Sequence, residues 1–190
     1  MALKPSALTR LRARLPHPRT RLKWLHGVMI PLFAWFVLVT PDMVVPMGKG
    51  WFALHSNLAL VFVSLCLLWT AGLMRRGLAS RPGPKLQGWA RRLHRPLHLT
   101  IIWGLFVVAV GGFLLGLSST VMLRAGTWLP IAPPMGWRAA NDLIGTLHIA
   151  QFYLLGLVIV GHAGFHIWRH VRLGDNALRI MAPKALHRFL

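Results

Sequence analysis

"LHIAQFYLLGLVIVGHAGFHIWRH", residues 147–170, carries four histidines in an otherwise apolar run. At about 1.5 Å per residue, these 24 residues would extend roughly 36 Å as a helix. That exceeds the roughly 30 Å of bilayer hydrocarbon. Ionisable side chains are costly at that depth, so each histidine is a functional candidate by default. His148 and His162 are fourteen residues apart. Fourteen steps of roughly 100° return within about 40° of the starting direction, so both side chains project from one side of the helix. Along the axis they stand about 21 Å apart, one towards each membrane face.

Three more apolar segments approach the same length, and the spacing predicts helices over about 22–40, 52–73, 97–119 and 143–170. The expected fold is therefore an all-α integral membrane protein, a single-domain four-transmembrane-helix bundle over residues 1–190. Lys and Arg fall in blocks. Seven precede the first helix, seven lie between the second and third, and five follow or end the fourth. Only Lys49, and then Arg124 with Arg138, occupy the other two loops. This asymmetry predicts both termini on the cytoplasmic side. No small-residue cleavage site follows Thr40, so the first helix is expected to stay in the mature chain. The proline- and tryptophan-rich stretch after the third helix, "RAGTWLPIAPPMGWRAAND", reads as an external loop lying at headgroup depth.

The net charge of +19 thus reports topology rather than nucleic-acid binding, because the cations do not spread along one face. The acidic residues are Asp42, Asp142 and Asp175, and glutamate is absent. Paired-carboxylate hydrolases and His-Glu zinc peptidases are excluded on that inventory. Cys66 has no partner for an internal disulfide and reads as bundle packing. No C-x-x-C-H occurs, so a haem would be held without thioether links.

Two level pairs of histidines follow from the orientation. The first helix starts at the cytoplasmic face and sets His26 there, at the depth of His162. The second starts outside and sets His55 at the depth of His148. Two imidazoles on facing helices suit the axial positions of a haem iron, and nitrogen ligation on both sides favours electron transfer over oxygen binding. Zinc would want a closed tetrahedral set, often with Cys or carboxylate, which these pairs lack. Glycines at 27, 104, 111, 112, 156, 161 and 164 leave room for a flat macrocycle or for close helix packing. His162, His166 and His170 also form an i, i+4, i+8 stripe that a zinc ion could use, but one ligand and two border residues is the preferred reading. His166 is an alternative to His162, and His98 is a second-shell donor, a propionate partner or an alternative to His26 or His162. His94 reads as a residue of the cytoplasmic border.

These residues resemble the bacterial cytochrome b561 family, which is related to the cytochrome b subunits of nickel-iron hydrogenases. The resemblance runs through "KWLHGVMI", "ALHSNLAL", "RPLHLTIIWGLFVVAVGG" and the final stretch with its fourteen-residue His-to-His interval, followed by Asp175, Asn176 and "LRIMAP". It implies a bacterial inner-membrane protein with two non-covalent, bis-histidine haem b groups, exchanging electrons with membrane quinone. By position the ligands would be His26 with His162 and His55 with His148. Some stand-alone relatives oxidise superoxide and others serve redox protein partners. If superoxide is the donor, Lys49, Arg124 and Arg138 are candidates for steering the anion. The alternative is a membrane anchor or assembly subunit of a larger respiratory or photosynthetic complex. A pigment protein using the same histidines would hold magnesium instead of iron.

Overall fold

The structure is a computed structural model, and it describes residues 18–182 and 184–189. Four helices carry it: α1 (Pro18–Leu38), α3 (Lys49–Arg76), α4 (Gly88–Ser118) and α5 (Arg138–Leu173). A one-turn helix, α2 (Pro41–Val44), links the first two. All four long helices are long and apolar enough to cross a membrane. The chain is a multi-pass, predominantly helical membrane bundle.

Burial shows where lipid must lie. Only 6% of the apolar window of α5 is buried, against 33% for α4, which therefore sits most centrally. Leu154, Leu157, Val160 and Val171 on α5 are each at least 65% exposed. Left in water, a large apolar side chain forgoes about 1.5–3 kcal/mol. A lipid environment removes that cost. The core gathers Met29 and Phe33 of α1, Phe62 and Cys66 of α3, Leu105 and Val108 of α4, and Leu155 of α5. At Gly104 a Cβ would come within 2.8 Å of Leu155, so the glycine sets how closely α4 and α5 approach.

The helices outrun the apolar segments that announce them. α4 begins at Gly88 rather than near residue 97, and Pro96 lies inside it. Proline removes one backbone donor, leaving the Arg92 carbonyl without an intrahelical partner. Arg92 is exposed, so the carbonyl is not stranded in the core. The extra turns bury Ala90 and His94, and Ala90 packs with Leu86 and Phe165 as a second small core.

That second core closes the end of the bundle where both described termini lie. There the Arg169 side chain donates to Asp175 (Nε to Oδ2, 2.8 Å), an ion pair whose side chains are 3% and 4% exposed. Lys85 Nζ donates to the Gly174 carbonyl at 2.9 Å, pinning the α3–α4 loop across the end of α5. Gly174 ends α5 in the left-handed conformation, and the chain turns into α6 (Ala177–Met181) and a final 3-10 turn (Lys184–Phe189). Lys23 Nζ donates to the Arg179 and Ala182 carbonyls, tying α6 to the start of α1.

At the opposite end the expected external loop is a two-stranded antiparallel hairpin, β1 (Leu123–Ala125) and β2 (Leu129–Ala132). Gly126 turns it with a positive φ of 60°. Asn57 Oδ1 accepts the Thr127 backbone N–H at 3.1 Å, and the Ser56 hydroxyl donates to the Gly126 carbonyl at 3.4 Å. The hairpin is thus fastened to the first turns of α3. Trp128 and Trp137 are 81% and 62% exposed, the disposition of headgroup-level tryptophans.

Candidate functional site

The termini end gathers five imidazoles from three helices. His26 comes from α1, His94 and His98 from α4, His162 and His166 from α5. The His26 and His162 ring centres are 6.4 Å apart, with planes at 47°. Metal–nitrogen bonds of about 2 Å on both sides of one iron would hold two imidazole centres roughly 6 Å apart. The other inner pairs are tighter: His98–His162 at 4.8 Å, His98–His166 at 5.5 Å and His162–His166 at 4.5 Å. The His26–His162 spacing is compatible with that separation, and the His98–His162 and His162–His166 spacings fall well short of it. Trp69 of α3 closes on His26 edge-to-face at 6.2 Å.

Hydrogen bonding adds the tautomers. His98 Nδ1 lies 2.6 Å from the His94 carbonyl, which can only accept. Nδ1 therefore carries the hydrogen, and Nε2 keeps its lone pair. His94 is 1% exposed, its ring lies tilted 4.3 Å from that of His98, and it meets the Ser80 hydroxyl through Nε2 at 3.2 Å. His162 Nδ1 and His166 Nε2 are buried without a hydrogen-bond partner. Such stranded polar atoms cost about 1–3 kcal/mol each unless something binds them. His94 is the residue that sequence reasoning left at the border. Its signal was there, four residues before His98 on what proves to be one helix.

At the hairpin end the two histidines are not brought together in the same way. Trp35 Nε1 donates to His55 Nδ1 at 3.2 Å, and Phe36 covers the ring edge-on at 5.0 Å. His148 packs edge-on to Phe152 at 5.1 Å, and Phe36 and Phe152 lie 6.5 Å apart. The imidazoles thus stand on either side of a phenylalanine cluster. With Nδ1 accepting from Trp35, the neutral His55 ring carries its hydrogen on Nε2. Ligation of a neutral ring through Nε2 requires the proton to move to Nδ1, which breaks the bond from Trp35.

His148 is differently placed. Its ring lies on the glycine pair of α4: a Cβ at Gly111 would meet His148 Nδ1 at 2.8 Å, and one at Gly112 would meet Nε2 at 3.5 Å. Of the glycines read as room for a macrocycle or for close helix packing, Gly111 and Gly112 here make room for the histidine itself. His148 lines a cavity of about 290 Å³ between α3 and α4 beneath the hairpin. Its walls are Phe36, Phe62, Val63, Val108 and Phe113, and Arg124 of β1 stands among its lining. The lining combines hydrocarbon with one imidazole and one arginine, a chemistry compatible with an apolar group bearing acidic substituents. Of the three cations expected on the external side, Arg124 lines this cavity, while Lys49 and Arg138 are exposed first residues of α3 and α5.

No protein-family model matches the chain, and no curated protein matches it.

Proposed function

We propose that this protein is a b-type haem electron carrier of the bacterial inner membrane, working between a donor at the hairpin end and membrane quinone. The observation that carries the reading is the 6.4 Å separation of His26 and His162, on different helices, in a bundle of membrane-spanning length. A second pair, His148 with His55, would hold the outer group, with His148 already in the cavity wall and His55 released from Trp35. Haem iron supplies one-electron redox chemistry, and two nitrogen ligands leave no position for oxygen. The chain's own part is to hold the rings, exclude water with phenylalanines and receive the donor. The basic blocks at the termini end support placing that end in the cytoplasm.

Superoxide is the favoured donor class. Two superoxide ions would each give up one electron and leave as dioxygen, while one quinone takes two electrons and two protons. Arg124, in the lining of the His148 cavity, would supply the positive charge that attracts the anion. Pulses of superoxide given to the purified protein with a short-chain ubiquinone should yield one quinol per two ions. Arg124→Ala should slow the reaction several-fold at low salt, and Lys49→Ala and Arg138→Ala should slow it less. A fully haem-loaded protein that forms no quinol would rule out this donor and acceptor. A stoichiometric partner on purification, with no quinol formed, would favour the anchor-subunit reading.

A further inference from the structure

Three of the inner imidazoles converge more tightly than a single macrocycle can use. His98, His162 and His166 each offer one ring nitrogen, and these atoms lie within 4.8 Å of one another. His98 meets both other rings edge-on, at 83° and 81°. The His94 carbonyl holds the hydrogen on His98 Nδ1, a backbone contact of the kind that orients metal-binding histidines. His162 and His166 each bury a ring nitrogen with no partner. Helix α5 places those two one turn apart on one face, and α4 supplies the third.

We infer that His98, His162 and His166 form a three-histidine site for a divalent transition cation of the zinc–copper class, occupied before the inner haem is inserted. The competition rests on the haem reading above, because His162 belongs to both sets. Imidazole donors select Zn²⁺, Cu²⁺ or Ni²⁺, whereas Mg²⁺ and Ca²⁺ would require oxygen ligands. The nearest carboxylate on this end, Asp175, is committed to Arg169, so the fourth position falls to water. The cation gives the stranded nitrogens a partner in the haem-free chain. Because His162 belongs to both sets, it would no longer be free for the cation once it held haem iron with His26, and only His98 and His166 would remain of the three.

The test uses the full-length protein purified haem-free in detergent and titrated with Co²⁺, whose visible bands report four-coordination. One ion per chain is expected, displaced by Zn²⁺. His98→Ala and His166→Ala should each weaken binding tenfold or more, and His26→Ala should bind Co²⁺ like the parent chain. His98→Gln and a symmetric elution profile guard against misfolding. Absence of stoichiometric binding, or undiminished binding in both alanine variants, would overturn the site. Haem is then added to the Co²⁺-loaded chain, and loss of the cobalt bands is expected as haem binds. Haem that binds while the cobalt bands persist would overturn the shared use of His162. A chain that takes no haem at all would refute the function proposed above, and the cobalt titration would still decide the cation site.

Discussion

His98 and His55 each have one ring nitrogen committed, with opposite consequences. A carbonyl takes the hydrogen of His98 and frees Nε2 for a metal, whereas an indole N–H occupies His55 Nδ1 and leaves the hydrogen on Nε2. Trp35→Phe removes that donor and should raise outer-site haem affinity several-fold in a haem titration; a loss of affinity would mean that Trp35 holds the ring in place for ligation. Gly111 tests the other outer ring. Its Cβ would meet His148 Nδ1 at 2.8 Å and Gln151 Oε1 at 2.7 Å, so Gly111→Ala should cost about 1–3 kcal/mol and shift the outer-haem spectrum. Thermal unfolding and visible spectra check both effects. That His26 and His162 lie close together was legible in the sequence, because helical rise and the charge-set direction of each helix put them at one depth. The approach of His98 to His162 and the Trp35 bond were not, because both depend on how neighbouring helices are rotated about their axes.

The apolar windows located the four long helices but not their ends. Hydropathy sees the hydrocarbon layer, and a helix continues past it until the backbone finds another partner. Residues 88–96 are rich in arginine and end in proline, so they read as a connection, yet α4 runs through them and buries His94. The hairpin escaped for a related reason. Its strands are three and four residues long, include Pro130, and carry no clean alternation, and their position depends on Asn57 and Ser56 some 70 residues earlier. The junction of α5 with α6 makes the sharpest prediction about an element. Arg169→Ala would leave Asp175 buried without its ion pair, costing about 3–5 kcal/mol in thermal unfolding. A shift of less than about 1 kcal/mol would mean that the pair is hydrated in the membrane-bound protein.

Across the whole molecule the two ends differ in kind. One end holds the packed loop, the buried ion pair and the cluster of His26, His94, His98, His162 and His166. The other holds a tryptophan-bearing hairpin over an apolar cavity with a single arginine in its lining. This polarity suits a protein that receives an electron on one side and delivers it on the other. It predicts that a reporter fused after Leu190 is active only in the cytoplasm and that one inserted at Thr127 is active only outside. The reverse result would move the proposed donor to the cytoplasmic face. The central claim is that His26 and His162 share one iron, and haem per chain measured by reduced-minus-oxidised spectra tests it most directly. The parent chain should carry two low-spin b haems, and His26→Ala or His162→Ala should each carry one. No haem in the parent chain, or two in both variants, would contradict the account.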